Sequence, residues 1–287
     1  MSEHPFAGRI TTLEHHDLVF DVVDEGPIDG EAVVLLHGFP ERSTCWRDVA
    51  PLLHAAGYRT VAMDQRGYSR RARPTGGRRD YRLELLAGDA AALLMRVGGG
   101  RPVHLVGHDW GAIVAWATTQ TRPDLVRTLT AVSVPHPAAF LASMTRSTQA
   151  LKSWYMAFFN LPRAAEALAA KQGGLFDTLL RRTGMTREDV ERVHREVVDT
   201  GALPGALGYY RALPFLDRKA SGRPVRVPTT MVWSDGDTAL DRKGAEATAE
   251  HVDAPYELVV LTGVSHWIPT QAPQALAEAI VARAGSV

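Results

Sequence analysis

Eight short runs rich in β-branched residues, at 10–14, 18–23, 33–37, 58–63, 103–106, 128–134, 229–233 and 257–261, punctuate the chain. After the second run they alternate with helical stretches, and no other feature constrains the fold as strongly. Strands joined through a helix lie parallel, and a parallel sheet buries both faces, so its strands read as unbroken apolar runs such as Val33-Val34-Leu35-Leu36. The expected class is α/β: an eight-stranded, mostly parallel sheet flanked by helices, its first two strands forming a hairpin. Helices are expected at 43–55, 81–97, 111–121, 243–251 and 273–284.

From 137 to 215 the rhythm stops, and successive helices are interrupted by Gly173-Gly174, Gly184, Gly201 and Pro204. This stretch reads as a helical cap inserted into a core formed by 1–136 and 216–287. Within it Trp154, Tyr155, Phe158 and Phe159 share one broad helical face, suited to packing or to a pocket wall.

Composition narrows the partners. Among 287 residues, 32 Lys plus Arg balance 32 Asp plus Glu, so no global field draws the chain to nucleic acid or an anionic membrane, and neither is expected as a partner. Cys45 is the sole cysteine, which excludes an intramolecular disulfide and a cysteine-pair zinc site. A reducing, cytoplasmic setting is expected, with no export signal and no membrane span, because no long apolar run is present.

The chemistry concentrates where the run 103–106 meets Gly107-His108-Asp109-Trp110-Gly111-Ala112. A strand, a sharp turn bounded by glycines and a helix start hold one side chain out above a sheet. Here that residue is Asp109. A carboxylate of ordinary pKa is ionised at pH 7 and attacks an electrophilic carbon without a base, although an Asp in this position also suits a helix cap. Upstream, His37-Gly38-Phe39-Pro40-Glu41 follows a buried strand, where the Phe39 N–H can pair with the Trp110 N–H as an oxyanion hole. Downstream, Ser234-Asp235-Gly236-Asp237 and Gly263-Val264-Ser265-His266-Trp267 each follow a strand. The chain order is nucleophile, acid, histidine, on loops beyond the carboxyl ends of strands.

With these motifs the sequence resembles the α/β-hydrolase superfamily, specifically its epoxide hydrolases, from about Ile10 to Ile280. The resemblance implies that Asp109 attacks an epoxide carbon to form an ester, that His266 activates the water that hydrolyses it, and that Asp237 orients His266. It also implies two cap tyrosines that donate protons to the opening ring: Tyr155, in Trp154-Tyr155-Met156, and Tyr210, which precedes Arg211, with Tyr209 as the alternative. The chain has Gly208 where Asn is usual and Asn160 where Gln is usual. His37, Phe39, Pro40, Trp110, Phe159 and Trp267 are expected to line the substrate site. His37 and His108 are also suited to bracing its loops. No metal or organic cofactor is called for; the expected partners are a small apolar epoxide and water, with a homodimer left open. Two other readings stand beside this one. An indole N–H next to an Asp nucleophile can hold a departing halide, as in the similar dehalogenases, and a member of the fold that binds ligand without turnover is the non-enzymatic alternative.

Overall fold

A computed structural model describes residues 8–147, 149–161 and 163–287; within its helices the side chains of residues 146, 151, 152, 154, 155, 164 and 218 lie outside that description. The strands are β1 (Thr12–His15), β2 (Leu18–Glu25), β3 (Ala32–Leu36), β4 (Arg59–Met63), β5 (Val103–His108), β6 (Val126–Val132), β7 (Thr229–Ser234) and β8 (Tyr256–Leu261). They form one sheet in the order β1-β2-β4-β3-β5-β6-β7-β8. β1 and β2 pair antiparallel, β2 meets β4 antiparallel, and every later pairing is parallel. This is the α/β-hydrolase arrangement expected from the sequence.

Burial follows the strand patterns. Every residue of β4, β5 and β7 is buried, whereas β8, at the sheet edge, is only partly so. Successive residues of β3 serve opposite faces, because side chains alternate along a strand. Val34 and Leu36 join one apolar cluster with Leu86, Leu93 and Trp116; Val33 and Leu35 join the other with Leu53, Leu276 and Ile280. Each aliphatic side chain so enclosed contributes about 1.5–3 kcal/mol over leaving it in water.

The helices before the insertion are α1 (Ala50–Ala55), α2 (Leu83–Gly98) and α3 (Trp110–Thr121). The single helix expected at 43–55 is instead a 3₁₀ turn at Ser43–Trp46 followed by α1. Pro51 is the cause: it lacks an N–H and its ring crowds the carbonyl four residues earlier, so it is accepted only in the first turn of a new helix.

Between β6 and β7 run α4 (Pro137–Arg146), α5 (Gln149–Lys152), α6 (Trp154–Phe159), α7 (Ala164–Ala169), α8 (Leu175–Arg182), α9 (Arg187–Val193), a π-helical turn at His194–Val198, α10 (Leu203–Ala212) and α11 (Arg218–Ser221). Helix thus continues past the expected end at 215. α9 begins with a capping box, in which Thr186 and Asp189 satisfy each other's backbone N–H groups. α12 (Arg242–Ala247), α13 (Ile268–Gln271) and α14 (Pro273–Ala284) complete the chain; the helix expected at 243–251 ends early and passes into a 3₁₀ turn at Thr248–His251.

Specific contacts clamp the insertion onto the sheet. The Arg192 guanidinium of α9 meets Glu41 at 2.7 Å, with both side chains buried. Gly67 and Gly205 lie backbone against backbone, and a Cβ on Gly205 would fall 2.6 Å from the Gly67 Cα. The Trp267 indole N–H donates to Thr183 Oγ1 at 3.0 Å. Among the described residues no helix is long and apolar enough to cross a membrane.

Candidate active site

Four loops at the carboxyl ends of β3, β5, β7 and β8 converge on Asp109. Its backbone has φ 52° and ψ −120°, a conformation that side chains rarely adopt and that costs on the order of 1–3 kcal/mol. The glycines around it make the turn sterically possible: a Cβ on Gly107 would lie 2.2 Å from the Gly111 carbonyl oxygen, and a Cβ on Gly111 would lie 2.1 Å from that of Leu36. The start of α3 therefore rests directly on the sheet. The Asp109 side chain makes no cap hydrogen bond to α3; the Asp109 carbonyl accepts from Ala112 and Ile113 instead. The carboxylate is left to face the loops.

Its two oxygens are held differently. The Phe39 N–H donates to Oδ1 at 2.7 Å, and His266 Nε2 stands 3.4 Å from Oδ2. Gly38 allows the close approach, since a Cβ there would sit 2.4 Å from the Asp109 Cβ. Trp110 opens α3, so its N–H has no partner within the helix. On the far side of the imidazole, His266 Nδ1 is 2.7 Å from Asp237 Oδ2, while Asp237 Oδ1 accepts the N–H groups of Ala239 and Leu240 at 2.7 and 2.9 Å. The neighbouring acids have other work. Asp235 accepts the Gly263 N–H at 2.7 Å, and Asp241 caps α12. The His266 carbonyl is fixed by His108 Nε2 and the Ser133 hydroxyl, each at 3.0 Å.

The charges support one another. Burial opposes a charge on His266, but the carboxylates of Asp237 and Asp109 outweigh it and hold the imidazolium up to about 10. Burial likewise opposes the Asp109 anion; the hydrogen bond and charge of His266, the proximity of His108 and the Phe39 N–H keep its carboxyl below the usual range. At neutral pH the pair is carboxylate and imidazolium. His108, pushed down to about 4 by burial and by the charge on His266, stays neutral.

Both tyrosine alternatives line the cavity beside Asp109 and pack edge-on against Trp110, and they differ in their other partners. The Tyr209 hydroxyl donates to the Arg66 carbonyl at 2.9 Å, within the core. Tyr210, also on α10, packs edge-on against Trp110 and Phe39, at ring separations of 5.1 and 5.2 Å, and lines a cavity with Asp109. Tyr155 falls in α6, but its side chain lies outside the described residues. The two departures from the usual pattern acquire reasons. A Cβ on Gly208 would lie 2.6 Å from the Tyr81 ring, and the Asn160 amide donates to the Met156 carbonyl at 2.8 Å and the Tyr210 carbonyl at 3.3 Å, tying α6 to α10.

Of the six residues expected to line the substrate site, only Trp110 is among the described residues that wall the cavity beside Asp109. His37 is corrected: it is fully buried, its Nδ1 lies 3.1 Å from the Gly38 carbonyl, and its Nε2 accepts the Gln65 N–H. Its nitrogens are engaged by its own loop and by the loop after β4, which suits it to bracing the site. Phe39 and Phe159, 5.1 Å apart, both contact the Tyr210 ring. Trp267 stands edge-on to His266 at 5.1 Å, and Pro40 is buried after a cis peptide bond. The cavity beside Asp109 holds about 250 Å³ and is walled largely by residues that the sequence reading did not single out, among them Ile113, Val134, Phe140 and Leu240. They come from four separate segments, and no local signal marks them.

The alpha/beta hydrolase fold family matches residues 31–273, and the chain belongs to it. Within that family it stands with the epoxide hydrolases. It is 35% identical over 264 residues to the AB hydrolase superfamily protein YfhM of Bacillus subtilis, covering 89% of this chain and 91% of that one. It is 30% identical to epoxide hydrolase A of Mycobacterium tuberculosis, covering 91% and 92%, and 32% identical to epoxide hydrolase 4 of Homo sapiens, covering 91% and 74%. The crystal structure of epoxide hydrolase A from Mycobacterium thermoresistibile superposes with a TM-score of 0.82 at 26% identity, over 96% of this chain and 97% of that one.

Proposed function

We propose that this enzyme adds water to an apolar epoxide, giving a vicinal diol through an ester on Asp109. The carrying observation is the Asp109 carboxylate itself, ionised, held out by a strained turn, with Oδ1 on the Phe39 N–H and Oδ2 turned toward His266.

The resting charges fit a balanced cycle. Oδ2 attacks an epoxide carbon and the carbon–oxygen bond breaks, while Tyr210, together with Tyr155, donates a phenolic proton to the departing oxygen. Esterification removes the negative charge of Asp109, one of the two carboxylates that hold the His266 proton. The imidazolium then gives that proton up to restore the phenol and becomes a neutral base. Water, deprotonated by His266, attacks the ester carbon; the oxyanion forms at Oδ1, where the Phe39 and Trp110 N–H groups stabilise it. Collapse expels the diol, which takes the remaining water proton, and leaves Asp109 ionised beside a protonated His266. Asp237 holds the ring in the required orientation throughout.

Single turnover in heavy-oxygen water tests the route. The first diol formed carries light oxygen from Asp109; heavy label in that first product would exclude the ester. Halide release from alkyl halides with epoxides left intact would instead assign the site to dehalogenation.

A further inference from the structure

The segment 235–241, which carries Asp237, lies between β7 and α12 in neither a strand nor a helix, so its backbone groups need partners from elsewhere. Ala239 and Leu240 turn their N–H groups onto Asp237 Oδ1, at 2.7 and 2.9 Å, and hold the carboxylate whose other oxygen meets His266 Nδ1. A side chain of the insertion holds the same loop from outside. Gln149, at the start of α5 and only 1% exposed, accepts the Asp241 N–H at 2.8 Å through Oε1 and donates from Nε2 to the Ala239 carbonyl at 2.7 Å. Its Nε2 also donates to the Ser153 hydroxyl at 2.9 Å, so both ends of the amide are engaged. One end must accept from an N–H and the other must donate to a carbonyl, a pairing that a carboxamide supplies and a carboxylate does not.

We infer that Gln149 is a positioning residue for His266: by gripping Ala239 and Asp241 from the insertion, it keeps Asp237 in place behind the imidazole. This rests on the reading of His266 as the base that hydrolyses the Asp109 ester. Among the described residues the titratable groups against the His266 ring are Asp237, Asp109 and His108. Burial opposes the imidazolium, and Asp237 is foremost among the groups that restore it. Esterification removes the charge of Asp109, which leaves Asp237 as the carboxylate that supports the ring during the second half-reaction. An Asp237 loosened by the loss of Gln149 supports the imidazolium less, and a tilted ring aligns less well with the attacking water.

Gln149→Met removes these hydrogen bonds at nearly constant volume, and Gln149→Asn keeps an amide that ends one carbon short of the loop. Single-turnover mixing with epoxydecane reads the two half-reactions separately. In Gln149→Met, ester hydrolysis is expected to slow by about tenfold to a hundredfold, while ester formation, which needs no base, stays within about twofold of the parent. The acid limb of the hydrolysis pH profile is expected to move to lower pH, a change that a loss of stability alone does not produce. Gln149→Asn is expected to show the same split to a smaller extent. Rate constants report only folded molecules, so lost folding lowers amplitudes and leaves the split intact. In an Asp237→Asn background, adding Gln149→Met is expected to cost little more. Parental hydrolysis with an unmoved pH limb, or equal slowing of both half-reactions, overturns the inference and keeps the Asp109 chemistry. NMR titration of the imidazole in the resting protein separates the two readings. A His266 pKa that falls from about 10 in Gln149→Met, while no ester forms in either protein, keeps the link and rejects the chemistry.

Discussion

Replacing His266 with Gln separates the two half-reactions. Glutamine keeps a donor near Asp109 but cannot act as a base, so ester formation continues while ester hydrolysis loses general-base assistance, worth about 10²–10⁴-fold. The structure adds a second consequence. Unit charges 3.4 Å apart at an effective dielectric constant near 20 interact by about 5 kcal/mol, and that support for the Asp109 anion disappears with the imidazolium. Burial is then opposed by the Phe39 N–H and weaker neighbours, and the Asp109 carboxyl shifts upward. Ester formation in the variant therefore acquires a pH dependence that the parent lacks: slow at about pH 5, faster at about pH 8, where the carboxylate is recovered. Intact mass after mixing with epoxydecane reads the adduct directly, peptide mapping places it, and quenched time points give its formation rate at each pH. The expected result is one added epoxide on the peptide containing Asp109, persisting for minutes or longer. Diol production at the parental rate, or an adduct elsewhere in a folded protein, refutes the scheme. Ester formation independent of pH refutes the electrostatic account alone.

Four further outcomes follow from the structure. Because His266 is raised from 6.5 to about 10, the folded state binds a proton between those values that the unfolded state has lost; the stability contributed is fully present below about pH 6.5 and declines toward pH 10. Denaturant unfolding across that window should show the decline, and Asp109→Asn should flatten it. Tyr210→Phe should slow ester formation by about 10²-fold in stopped-flow measurements. Tyr209→Phe should retain ring opening yet lower stability by about 1–3 kcal/mol, since the Arg66 carbonyl loses its donor. Arg192→Met strands the buried Glu41 carboxylate and should cost about 3–5 kcal/mol near pH 8. Burial already lifts the Glu41 carboxyl to about 7 against the pull of Arg192, so that loss should shrink at about pH 5, and adding Glu41→Gln should recover most of it in a double-mutant cycle.

Much of the site was legible in the sequence because its logic is local. A strand, a turn that only glycines permit and a helix start fix where residue 109 points, whatever surrounds them, and the alternation of apolar runs with helical stretches places such turns at one end of the sheet. The break in the helix expected at 43–55 was missed, although Pro51 carries the local signal for it. Four matters were decided only by tertiary structure. Both rings touch Trp110, but the Tyr209 hydroxyl is held by the Arg66 carbonyl while Tyr210 packs against Phe39 and Phe159, although the two residues are adjacent and chemically alike. His37, beside the oxyanion loop in sequence, is drawn behind it by Gln65. Glu41 finds its cation 151 residues away, on a helix of the insertion. The apolar wall of the cavity beside Asp109 is assembled from segments that share no motif. In each case the deciding quantity is a distance between groups far apart along the chain. Local propensity fixes the direction of a side chain relative to its own backbone; which atoms it then meets is set by the packing of whole elements.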